Sequence, residues 1–340
     1  MFSLVAHCLD VTLEAVTPVE LNEHQGAALR GALYGALRGP FCAQKHLTSC
    51  ADCMLVGSCP LMTLVSTLNP RAERGRDVPR PYVIEPLLDG RTHLEPGEVL
   101  TFRLTLFARA LQLFPYVILA LRTLEHTGLG KPVAANGWRR GKVRVLRVAA
   151  TNPLIGACQP VFETGEALVR VPDVPITHAQ VLETAARLAR DRLGIAFLTP
   201  TRLVERGQLL KRPEPGPLFH RLWQRLADLE REFGDAGPSA GQPANLGGGP
   251  EARRADRTQE GFALVALARR ARLVDDRTNW VEVESYSSRQ RRPTPMSGLV
   301  GCAVYEGDMG PLLPWFVWGQ FAHVGKDAVK GNGWYRIDGA

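Results

Sequence analysis

The stretch "FSLVAHCLDVTLEAV" (Phe2–Val16), followed by "EHQGAALRGALYGALRG" (Glu23–Gly39), decides how the rest of the chain is read. In the first segment apolar and polar residues alternate, the period of a half-buried strand. In the second, Ala27, Leu29, Ala32, Leu33 and Leu37 can share the buried side of a helix, with Asn22 as N-cap and Gly39-Pro40 as a stop. Strand patterns follow at "RPYVIEPL" (80–87) and "EVLTFRLTLF" (98–107), the latter alternating Phe102, Leu104 and Leu106. A helix pattern covers "ALQLFPYVILALRTLEHTG" (110–128), which Pro115 should start or kink, and "GKVRVLRVAA" (141–150) closes the set as a strand. The order β-α-β-β-α-β is the ferredoxin-like split βαβ unit.

The second half repeats that order. A strand is expected at "GIAFLTPTRLV" (194–204) and an amphipathic helix at "GPLFHRLWQRLADLEREFG" (216–234), carrying Leu218, Leu222, Leu226 and Leu229. Strands at "NWVEVESYSS" (279–288) and "MSGLVGCAVYEG" (296–307) precede a short apolar helix, "LLPWFVWGQFA" (312–322), and a closing strand, "GNGWYRI" (331–337). The Gly-, Pro- and Ala-rich segment 234–258 shows no periodicity and reads as a flexible insertion. The predicted fold class is therefore α+β: two tandem ferredoxin-like domains, residues 1–150 and 151–340. At 340 residues two domains are also the default for one chain.

Composition narrows the partners. A formal charge of +7 points towards a polyanion, nucleic acid or an anionic surface, although a basic soluble enzyme has the same balance. The N-terminus lacks a basic leader and places Asp10 and Glu14 within its apolar run, and the most apolar stretch is too short to span a bilayer. A cytoplasmic protein without a membrane partner is expected. Basic residues concentrate in three runs: Arg71–Arg80, Arg139–Arg147 with Arg139 and Arg140, and Arg289–Arg292 with Arg289, Arg291 and Arg292. Interleaved with Trp138, Tyr286, Trp334 and Tyr335, they suit phosphate contacts and base stacking.

Cys42, Cys50, Cys53 and Cys59, inside the Cys-rich loop 40–60, form a C-x7-C-x2-C-x5-C run. Four thiolates complete a tetrahedral shell, so a structural Zn²⁺ is expected, with a [4Fe–4S] cluster as the alternative. No histidine or carboxylate completes an open site there, so no catalytic metal is expected. His46 lies inside this loop beside Lys45. A histidine is the usual general acid or base and a neighbouring lysine can steady a phosphorane, but the position also suits a metal ligand or a solvated loop residue. His24, at the start of a helix, and His323, before a glycine-rich loop, are reserve candidates. In that loop (323–335), Gly325, Gly331 and Gly333 would let main chain approach a phosphate closely, with Lys326 and Lys330 alongside.

The segments "GLVGCAVYEG" (298–307), "LPWFVWGQFAHVGKDAVKGNGWYRI" (313–337), "PYVILAL" (115–121) and the "GPFC" cysteine run together resemble the CRISPR-associated RAMP-superfamily endoribonucleases that process precursor crRNA. The closing loop follows that family's hxGKxxxxGxG pattern and is followed by an aromatic residue. The resemblance implies two ferredoxin-like domains binding CRISPR repeat RNA in a basic cleft. It implies metal-independent cleavage, in which a 2′-hydroxyl attacks the scissile phosphate and leaves a 2′,3′-cyclic phosphate and a 5′-hydroxyl. Carried onto this chain, it points to His46 as acid or base, Lys45 as electrostatic partner and Tyr34 as helper. It also implies that Lys326 and Lys330 hold the RNA backbone and that crRNA can be retained among other subunits of a CRISPR effector complex. The alternative is a non-catalytic crRNA-binding subunit of such a complex. An iron–sulfur redox enzyme is a third reading.

Overall fold

The computed structural model describes residues 2–47, 50–55, 59–66, 79–234, 251–287 and 292–338. Most of the Arg71–Arg80 run, residues 235–250 of the expected insertion, Arg289 and Arg291 lie outside them. The chain divides into two compact units, Met1–Ile176 with Leu229–Asn245, and Thr177–Asp228 with Leu246–Ala340.

In the first unit the alternating stretch forms β1 (Ala6–Ala15), with Leu9, Val11 and Leu13 fully buried on one face. The 17-residue α1 (Gln25–Phe41) follows, then β2 (Tyr82–Glu85), β3 (Val99–Phe107), α2 (Phe114–Thr127) and β4 (Val143–Asn152). Pro115 opens α2, where its missing N–H costs nothing. A further strand, β5 (Ala157–Glu163), extends the antiparallel sheet to the order β2-β3-β1-β4-β5. The other face of β1 carries Asp10, which accepts from Arg103 Nε at 2.6 Å and Nη2 at 3.0 Å. The register sets Asp10 opposite Arg103, so the pair braces β1 against β3.

Helix α1 departs from expectation at both ends. His24, not Asn22, is the N-cap, and it makes no side-chain capping bond; Pro40 lies inside the helix rather than beyond it. Proline in the last turn forfeits only one hydrogen bond, and the amide of Cys42 still reaches the carbonyl of Arg38 at 3.2 Å.

The second unit opens with α3 (His178–Ala186), held by a reciprocal capping box between Thr177 and Gln180. Then come β6 (Arg192–Thr201), α4 (Pro215–Phe233), α5 (Glu251–Ala268), β7 (Arg272–Val281), β8 (Gly298–Glu306), α6 (Leu313–Ala322) and β9 (Tyr335–Ile337). Its sheet is antiparallel in the order β7-β8-β6-β9, so β6 is central and both neighbours reach it through crossovers. Leu218, Leu222, Leu226 and Leu229 of α4 are fully buried, as the leucine spacing predicts. Helix α6 buries eight of its ten residues, including Trp315, Phe316 and Trp318.

Two expectations fail here. The insertion read over 234–258 gives way at Glu251 to α5, in which Gly261, Val265 and Ala268 recur at helical spacing on the buried side. A Cβ on Gly261 would sit 2.2 Å from Trp223 Nε1, so the lack of a side chain is what lets α5 close on α4. Alanine, arginine and glutamate favour helix, but next to a Gly- and Pro-rich run they read as more loop. The strand expected at 279–288 starts instead at Arg272 and ends at Val281, and Glu284–Ser287 pairs in a separate hairpin with Arg292–Pro295.

Candidate active site

The C-terminal half of α1 and the turn after it bring three of the candidate residues together. Tyr34 and Arg38 lie one turn apart on α1, and Arg38 Nη1 donates to the Tyr34 hydroxyl at 3.2 Å. Arg38 Nη2 donates to the carbonyls of Lys45 (3.2 Å) and Leu47 (3.0 Å), the two residues that flank His46. One guanidinium thus ties the tyrosine to the turn that presents His46 and Lys45, both exposed. The tyrosine, first of several causes, raises the Arg38 pKa, so this link stays cationic at any working pH. Arg30 stacks its guanidinium 5.6 Å from the Tyr34 ring centre. The result is an imidazole, a phenol, an ammonium and two guanidiniums on one short stretch, residue types that can move a proton or steady negative charge. Arg30 and Arg38 were not singled out from sequence. Their i, i+4 relation to Tyr34 was the available signal.

His24 stands at the other end of α1, half-buried, with its pKa lowered by burial. His323 is fully buried, and burial, followed by Arg225, pushes its pKa down to about 3. It stays neutral and away from solvent, stacked 6.2 Å from the Trp334 ring.

The four cysteines follow one another from the C-terminus of α1 onward. Cys42 caps the C-terminus of α1, Cys50 opens a short 3-10 turn, Cys53 follows that turn, and Cys59 precedes the helical turn at Met62–Ser66. All four are free and half-buried, and among the described residues no group of three or more His, Cys, Asp or Glu is placed to hold a metal ion.

The glycine-rich loop is built for its own closure. Gly325, Gly331 and Gly333 all have left-handed φ (+88°, +89° and +72°). A Cβ on Gly333 would lie 1.8 Å from the Val324 carbonyl oxygen, so only glycine fits. The amide of Gly331 donates to the carbonyl of Ala328 and that of Gly333 to Pro200, so neither is free to cradle a phosphate. Thr199 bridges the loop, its hydroxyl donating to the Gly331 carbonyl at 2.7 Å and accepting from the Trp334 amide at 2.9 Å. Lys330 is paired with Asp327 at 2.8 Å, whereas Lys326 is exposed. Trp334 and Tyr335 belong to the core, and the Tyr335 hydroxyl donates to the Phe316 carbonyl. Arg139 and Arg140 are exposed on a hairpin of the first unit, and Arg292 begins a strand.

Residues 195–335 match the family model described as CRISPR-associated endoribonuclease Cas6, and residues 4–174 match AF_1859_N, described as an N-terminal domain. None of the curated proteins matches the chain by sequence. Among solved structures, a Cas6 product complex has 16% identity and a TM-score of 0.55, with 98% of this chain and 99% of that chain covered. Thermus thermophilus Cas6 has 14% identity and a TM-score of 0.52, with the same coverage. A partial Cas6-RT-Cas1–Cas2 complex has 12% identity and a TM-score of 0.55, with 99% of this chain matching 47% of that one. At these identities the structures show a shared fold. Among the described residues no helix is long and apolar enough to cross a membrane. Residues 195–335 thus match the CRISPR-associated endoribonuclease Cas6 family, behind an N-terminal region, residues 4–174, that matches a separate domain model.

Proposed function

We propose that this protein cuts CRISPR repeat RNA into mature crRNA by attack of the 2′-hydroxyl on the adjacent phosphate, without a catalytic metal. The products are a 2′,3′-cyclic phosphate and a 5′-hydroxyl. The proton balance needs one group to take the 2′-hydroxyl proton and one to return a proton to the leaving 5′-oxygen. His46 is assigned one of these roles, with Tyr34 beside it, while Lys45 and Arg38 stabilise the charge that builds on the phosphorane. The observation that carries this reading is the Arg38 bridge, which holds the Tyr34 hydroxyl and the His46 turn in one place. Both units are read as ferredoxin-like, because each follows the βαββαβ order with its first and third strands central in the sheet. Lys326, exposed at the rim of the glycine-rich loop, is assigned to the RNA backbone.

The deciding experiment is incubation of the purified protein with end-labelled repeat RNA in excess EDTA. Cleavage at one position, with a cyclic phosphate on the 5′ product, is expected. Absence of cutting across stem-loop repeats of differing sequence would sink the enzymatic reading.

A further inference from the structure

We propose that the hairpin formed by Leu129–Val133 and Arg139–Gly141 is a binding site for unpaired RNA, with Trp138 as the surface on which a base stacks. The inference rests on the reading that this chain handles CRISPR repeat RNA, and it names a contact on the first unit remote in sequence from the glycine-rich loop. Trp138 is 75% exposed and has a φ of +59°, the left-handed region that non-glycine residues rarely enter. A tryptophan held there forgoes the burial that ordinarily recruits it to a fold, and no packing of its own compensates.

The ring is nevertheless presented on a stiff support. The Trp138 amide donates to the Val133 carbonyl at 3.0 Å, and the Asn136 side chain donates to the Pro18 carbonyl at 2.7 Å. Gly130 and Gly141 lie so close to the Pro18–Glu20 backbone that a Cβ would approach its carbonyl oxygens to 2.1 and 2.4 Å. The hairpin is therefore seated main chain to main chain on the segment that follows β1. A fixed, exposed aromatic face binds with little ordering cost.

Charge selects the partner. Lys131, Arg139, Arg140 and Lys142 surround Trp138 in the sequence, all exposed, and the stretch 131–142 contains no acidic residue. None of the four takes part in an ion pair among the described residues, whereas the next cation along, Arg144, is paired with Glu14. Four uncompensated cations around an open indole suit a strand that offers phosphates and base faces together. Duplex RNA hides its base faces, so the ring favours a single strand.

The test measures Kd for a fluorescein-labelled oligoadenylate and for a blunt RNA duplex of the same length, across a range of salt. The exposed ring carries no part of the core, so Trp138→Ala should keep the wild-type melting temperature. Loss of one stacked base should weaken oligoadenylate binding about 5- to 100-fold, while Trp138→Phe keeps most of it. Replacing both Arg139 and Arg140 by Ala should make the log Kd against log salt slope shallower by about 1.4. Equal oligoadenylate affinity for wild type and Trp138→Ala overturns the proposal, including the case where that variant instead loses a protein partner. Wild type that binds duplex as tightly as the single strand overturns it too. A wild-type protein that cuts no repeat but shows the Trp138 effect would remove the processing reading and leave this site standing.

Discussion

The glycine-rich loop and the turn that carries His46 are both short, basic and Gly- or Cys-punctuated, yet the fold treats them in opposite ways. The loop is closed on itself by main-chain bonds and by Thr199, and it surrounds a buried histidine. The turn is exposed, and among the described residues the Arg38 guanidinium anchors it. Substitutions in the loop should therefore cost stability, and substitutions in the turn should cost rate with stability kept.

The sharpest probe of that contrast is His46→Ala. Loss of a proton-transfer group should slow repeat cleavage about 100- to 10,000-fold with unchanged RNA affinity and melting temperature. A variant that cuts at the wild-type rate would move the acid–base role away from the turn. On the other side, Gly333→Ala forces a Cβ against the Val324 carbonyl at a left-handed φ, and should cost about 2 to 5 kcal/mol in urea unfolding. If that variant were as stable as wild type, the loop would not be the closed structure described.

Acid should also distinguish the two regions. The folded pKa of His323 is about 3, below the unfolded value near 6.5, so on acidification the unfolded chain takes up a proton that the folded protein refuses. The stability conferred by keeping this histidine neutral is complete above about pH 6.5 and falls by about 1.4 kcal/mol per pH unit below it. His7, with its pKa also lowered by burial, adds in the same direction. Between pH 6.5 and 5 the unfolding free energy should drop by about 2 kcal/mol from His323 alone, and His323→Asn should flatten that slope. The smallest effect belongs to the anchor of the turn. Arg38→Gln should lower the cleavage rate about tenfold and leave the melting temperature nearly unchanged, since the bonds it loses hold the turn and little of the core. A large loss of stability would mean that Arg38 braces α1 itself.

Much of the fold was readable because its signals are local. The alternation in β1 and the four leucines of α4 report burial directly, and a doubled βαββαβ order needs only the sequence of elements. Helix α3 announces itself in the sequence only through its Thr177-x-x-Gln180 capping pair, since its apolar face is slight. Helix α5 was hidden because its buried side is short and built on small residues, Gly261 against Trp223 and Ala268, which announce burial weakly. At the site, His46, Lys45 and Tyr34 were visible as chemistry. The link between them was not, because it depends on one arginine spanning from a helix to a turn.

Residue order alone determined that this chain is a basic α+β protein, since hydrophobic period and turn residues are properties of neighbours along the chain. Tertiary structure decided what each conspicuous motif is for. Two of the glycine amides expected for phosphate go instead to carbonyls of the protein, Gly331 to Ala328 in the loop and Gly333 to Pro200 on β6. Trp138, one of several aromatics beside the basic runs, is left with its ring in solvent. Spacing bounds what residues can reach, but backbone hydrogen bonds and close packing elsewhere determine what they do reach.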